Sequence, residues 1–97
     1  MAHLPELLRV QGEILFMRPH PDEAEAEVTL ERALSVARQQ GALSWELRGS
    51  ITLARVRSMQ GRGHEGRELV ASVYAHFTEG FGTPDLLHAK HLLETSV

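Results

Sequence analysis

Cysteine is absent from the sequence, so neither a disulfide framework nor a thiolate metal site is available, and the fold has to be held by packing. That usage fits a reducing, cytoplasmic setting. Long hydrophobic runs are missing too. The longest is Ile14-Leu15-Phe16-Met17, far short of the roughly 20 residues that span a bilayer. The start, Met1-Ala2-His3-Leu4-Pro5-Glu6, has no basic segment leading into an apolar one, so the chain reads as untargeted and free of membrane spans. An excess of basic charge is also lacking: Lys+Arg 10 against Asp+Glu 13 gives a net charge of −3. A duplex or acidic-membrane binder needs the opposite sign or a concentrated basic stripe, so nucleic acid is excluded as the expected partner. The six histidines would add six positive charges on full protonation, which makes solubility sensitive to pH near about 6.5.

What is present is helical patterning over 97 residues of 42% hydrophobic content, enough for one small domain. From Leu4, apolar residues fall at Leu4, Leu7, Leu8 and Leu15, and again at Leu7, Val10, Ile14 and Met17, two adjacent faces of one helix. Pro19 and Pro21 stop that helix. Pro21 in a first turn, followed by Asp22 and Glu23, starts a second one that buries Ala26, Leu30, Ala33, Leu34 and Ala37 and ends at Arg38 and Gly41. A third helix runs from about Leu43 to Met59 and is ended by Gly61 and Gly63. A fourth spans about His64 to Thr78 on Leu69, Val70, Val73, Tyr74 and Phe77, and Gly80-Phe81-Gly82 breaks it. The fifth opens with Thr83 as N-cap, Pro84 at the first helical position and Asp85 against the dipole, and carries Leu86, Ala89 and Leu93. No segment alternates as a strand does, so the expected class is all-α: one domain of pairs 4–40 and 43–79 and a capping helix 83–95.

Several spacings invite chemistry. Gly61-Arg62-Gly63-His64-Glu65-Gly66 matches G-x-G-x-x-G, but a helix and not a strand precedes it, so it reads as an interhelical turn with one close-packed glycine, and no cofactor is expected. His64-Glu65-Gly66-Arg67-Glu68 misses a zinc helix motif because Glu68 stands where the second histidine belongs. His88 and His91, three apart, read as exposed residues of a terminal helix; no metal site is expected. Glu23, Glu25, Glu27 and Glu31 read as a solvated acidic face, since acid–base catalysis would need one of them buried with a shifted pKa. The expectation is a non-enzymatic protein.

The helices also repeat. Gly12 and Ala54, 42 residues apart, are the small residues of the first helix of each pair, and Ala26 and Gly66 play that part on the second helices. This resembles the tetratricopeptide repeat, in which small residues on paired helices face each other. The second pair keeps the repeat's usual spacing of 12 between those residues, whereas the first is stretched to 14 around Arg18-Pro19-His20-Pro21. The stretch from Val73 through Thr83-Pro84-Asp85-Leu86 to Ala89-Lys90 and Leu92-Leu93-Glu94, with Gly12-Glu13 and Ala24-Glu25-Ala26, is similar to the C-terminal repeats of large bacterial ATPase and nucleotide-cyclase-type regulators, departing from their pattern at His76 and Gly82. No Gly-Lys-Ser/Thr phosphate loop is present, so the resemblance implies an interaction end without the ATPase.

The resemblance implies a right-handed superhelix whose first helices line a groove for a protein or peptide partner. Carried over, Glu6, Arg9, Glu13 and Phe16 from the first pair, with Arg48, Ile51, Arg55, Ser58 and Met59 from the second, face a ligand there. Arg48 and Arg55 share a face and can hold a carboxylate, or else pair with Glu6 and Glu13. The Lys and Asn set that clamps chaperone C-termini is missing, with Glu13 in one of its places, so that ligand is not implied. Stacked repeats usually need about three units. With two pairs and one helix, the first helix is expected to leave Leu7, Val10 and Ile14 uncovered, to be met by preceding repeats of a larger regulator or by a second copy in a homodimer.

Overall fold

Residues 4–19 and 22–94 are described by a computed structural model. They form five helices, α1 (Leu4–Met17), α2 (Glu23–Gln39), α3 (Leu43–Met59), α4 (Gly63–Tyr74) and α5 (Pro84–Glu94), with no strand among the described residues. Pro21 and Thr95, placed by the sequence at the start of the second helix and the end of the fifth, lie outside the described residues. None of the helices is long and apolar enough to cross a membrane.

Short turns fold consecutive helices back on one another. Gly41 at φ +65° and Gly61 at φ +78° take the left-handed conformation just past the C-caps Gln40 and Gln60. The next amide then reaches back over the end of the helix: Ala42 N–H to the Ala37 carbonyl at 2.9 Å, Arg62 N–H to the Arg57 carbonyl at 2.7 Å. The same αL closure thus serves both turns, and only glycine adopts it without cost. At the other end of α2, Asp22 is itself the N-cap, its carboxylate accepting the Glu25 N–H at 3.0 Å. The start of α2 thus lies at Glu23, later than the proline signal suggests.

Two departures concern the C-terminal third. α4 ends at Tyr74 and not near Thr78, because the amides of His76 and Phe77 bond three residues back, to Val73 and Tyr74 at 3.0 and 3.1 Å, tightening the chain out of the α-helix. Phe77 packs on the core, and Phe81 lies 5.8 Å from the Tyr74 ring centroid. The Thr83 hydroxyl, expected to cap α5, donates instead to the Gly80 carbonyl at 2.8 Å, while the Thr83 carbonyl accepts the Leu87 N–H.

The core has two parts. Leu30 and Leu34 of α2 meet Leu53 and Val56 of α3, flanked by Phe16 and Leu69; Leu47, Ile51 and Ala54 of α3 meet Val70 and Val73 of α4 and Leu86 and Ala89 of α5. α3 is the shared wall, buried on opposite sides, and its two buried hydroxyls are both bonded: Ser50 donates to the Leu47 carbonyl and Thr52 to the Arg48 carbonyl. Within each pair the helices approach at the small residues. A Cβ on Gly66 would stand 2.8 Å from Ala54 Cα and 3.0 Å from its carbonyl oxygen; one on Gly12 would stand 2.6 Å from Leu30 Cγ and 3.3 Å from the Ala26 carbonyl.

Gly66→Ala therefore has to push two backbones apart and should lower the unfolding free energy by about 2 kcal/mol in a urea titration. Gly82→Ala, with nothing within 4 Å of the added carbon, serves as the neutral control.

Candidate functional site: a paired-arginine face and a cationic cleft

α1 and α3 run side by side, and residues 42 positions apart face each other. Their charges are of opposite sign. Arg48 donates to Glu6 at 3.4 Å, and Arg55 donates to Glu13. Arg9, between the two acids on α1, donates to both oxygens of Glu6 at 2.7 and 2.9 Å, to Glu13 at 2.9 Å and to the Thr52 hydroxyl at 3.3 Å. Arg48 also reaches α5, where Asp85 accepts at 2.9 Å, and its guanidinium lies 5.2 Å from the Trp45 ring centroid. The hydrogen bond from Arg9 holds the Glu6 carboxyl below the ordinary carboxylate range. In return the Glu6 bond raises the pKa of Arg9, and the Asp85 bond raises that of Arg48.

Of the two uses open to Arg48 and Arg55, the structure realises pairing with Glu6 and Glu13. Asp85, read from the sequence as a helix-dipole residue, joins them. Arg9 and Arg48 line neither hollow of this face. Ile51 is almost fully buried, and Phe16 packs half-buried beside Leu30 and Val56. Met59 is 71% exposed and, with Arg55, forms a ridge between two hollows. The hollow toward α1 is bordered by Glu13, Phe16 and Met17. The other, of about 480 Å³, lies between α3, α4 and α5 and is lined by Ile51, Arg55, Met59, Arg67, His88 and Leu92, with Ser58 on the same wall.

Arg67 was not singled out from the sequence, yet a signal was there: positions three and four away on either side hold Gly63, His64, Val70 and Ala71, so its own helix offers no acid in reach. It is half-buried and makes no ion pair or hydrogen bond among the described residues. The acidic run of α2 is likewise more than a solvated face. Glu27 accepts from Arg62 at 2.7 Å and Arg57 at 3.5 Å, and Gln60 donates to Glu23 at 2.9 Å, so α2 is tied to the end of α3 and the turn into α4. Glu68 Oε1 lies 2.8 Å from His64 Nε2, Gly61 forms the turn and Gly66 the close helix contact, and no group of three metal-ligating side chains occurs among the described residues.

On α1, Leu7 (60% exposed), Val10 (39%), Ile14 (58%) and Met17 (73%) form an open apolar stripe. Of the residues 42 positions on, Gly49, Thr52 and Val56 are buried and Met59 is exposed; Leu34 of α2 covers Gly49, and Leu30 and Leu34 pack with Val56. No described element does the same for α1. Compared with protein-family models, with curated proteins and with solved structures, the chain matches none of them.

Glu6→Gln should cost about 1 kcal/mol at pH 7, measured by chemical denaturation. Because the folded state depresses the Glu6 pKa, its contribution is complete above about pH 4.3 and is lost as the pH falls through the folded-state value. The difference between Glu6→Gln and the unsubstituted protein should accordingly close as the pH falls through that value, measured in the same way.

Proposed function

We propose that the chain is a non-catalytic, tetratricopeptide-like protein–protein interaction module of a bacterial signalling or regulatory protein, working in the cytoplasm. The observation that supports this most is the in-register stacking of the two pairs, with opposite charges at equivalent positions of α1 and α3. That is the organisation of a helical repeat, whose first helices present one continuous surface to a partner. The bacterial and signalling parts of the reading rest on the resemblance of the stretch from Val73 to Glu94, with its absent ATPase loop.

A second reading, a self-assembling homo-oligomeric domain, draws on the open stripe of α1, since exposed apolar patches mark interfaces. Leu7 and Val10 are exposed, so replacing them with aspartate should leave stability within about 0.5 kcal/mol.

Capture on the immobilised protein, with bound chains identified by mass spectrometry, should recover a different protein. Its loss on Leu7→Asp with Val10→Asp, or on Met59→Asp, with far-UV helicity kept, locates the surface. Retention of nothing but the chain itself would count against the interaction module. Light scattering over a wide concentration range tests the second reading, which expects a mass that rises with concentration and falls to a monomer in Leu7→Asp.

A further inference from the structure

We infer that the cleft between α3, α4 and α5 is a recognition site for a peptide segment of a partner protein in which a carboxylate is flanked by aliphatic side chains. This rests on the interaction-module reading and specifies the chemistry of its partner. In a chain of net charge −3, the other partly shielded arginines, Arg9, Arg48, Arg57 and Arg62, are all held by acids of the chain. Arg67 is withdrawn from solvent like them yet has no acid on it among the described residues. It faces the cleft together with Arg55 and His88, and no Asp or Glu lines that space. A partly shielded guanidinium with no counter-charge among the described residues has donors that an incoming carboxylate can engage through charge-assisted hydrogen bonds.

The size of the charge selects the anion. Arg55 is already balanced by Glu13, so the cleft offers the one uncompensated guanidinium of Arg67, which suits a singly charged carboxylate better than a doubly charged phosphate. Arg55 has further N–H donors to offer beyond the one given to Glu13. Ile51, Met59 and Leu92 supply apolar walls on either side of the cations. A volume of about 480 Å³ is in the range of small-ligand sites and takes a few side chains of a peptide, not a folded element. The cleft also opens beside the α1–α3 face and not along it, so occupying it leaves the Glu6–Arg9–Arg48 pairs intact.

The probe is a pool of peptides acetylated and amidated at their ends, Ser-Gly-X-Glu-X-Gly-Ser with X being Leu, Ile, Val or Met, so that the internal carboxylate is the only charge. Titrated into isotopically labelled protein, at least one should move the amide resonances of Arg67, Met59 and Leu92 saturably. Replacing its Glu by Gln, or using Arg67→Gln protein, should weaken binding about tenfold. The peptide arm leaves the protein fold untouched, and Arg67→Gln removes no internal bond. Equal binding by the Gln peptides, by Arg67→Gln protein, or by inorganic phosphate at the same concentration would overturn the assignment. Shifts confined to α1 would overturn it too while leaving the interaction module standing, whereas no shift anywhere at millimolar peptide would count against both.

Discussion

The helices of the second pair, α3 and α4, pack as they do only because their axes come close, and the contact of Gly66 with the backbone of Ala54 sets that distance. With no side chain between them, α3 and α4 close to backbone contact, which brings Val70 and Val73 onto Ile51 and Leu47 and leaves room for α5 to lay Leu86 and Ala89 across both. The first pair solves the same problem less tightly. Gly12 meets the side chain of Leu30 before it meets the Ala26 backbone, which accords with the longer spacing between its two small residues.

Once α3 is placed, electrostatics decides how the first helices sit against each other. Glu6 and Glu13 on α1 oppose Arg48 and Arg55 on α3, and Arg9 bridges both acids from within α1. Each of these pairs is partly exposed and individually worth little, but they share partners and so act as a network that favours one register over its neighbours. A shift of one residue would displace both ion pairs between α1 and α3 at once. The consequence for function is that the arginines most visible in the sequence are occupied by the chain itself, and the partly shielded arginine left without an acid among the described residues is Arg67, on the second helix of the second pair.

The two ends of the stack are not alike. α5 closes one end by packing on α3 and α4, so the second pair has a neighbour on each side. At the other end, the face that α2 covers on α3 has its counterpart on α1 open, with Leu7, Ile14 and Met17 each more than half exposed. A helical repeat of this kind has an apolar surface that asks for a packed partner and, separately, a cationic cleft suited to a short charged segment. The two differ in what they select: area and shape on α1, a single charge in the cleft.

Local chemistry was legible along the chain. Glycine just past a periodic segment, proline at a first turn and small residues at matched positions gave five helices, the αL closures at Gly41 and Gly61, and the pairing of Gly12 with Ala26 and of Ala54 with Gly66, because each depends on the residue itself and its immediate neighbours. The open stripe on α1 was likewise readable from its spacing. What depended on distant residues was not. The end of α4 at Tyr74 goes with Phe77 packing on the core and Phe81 meeting the Tyr74 ring, the pairing of Glu27 with arginines 30 and 35 residues away, and the tie of Arg48 to Asp85 with the way α5 crosses α3. Whether an arginine is neutralised or waiting is a property of what stands within a few ångströms of it. For Arg55 and Arg67, both basic residues on amphipathic helices, only the packing made the difference: α1 sets Glu13 against Arg55, whereas no acid stands against Arg67 among the described residues.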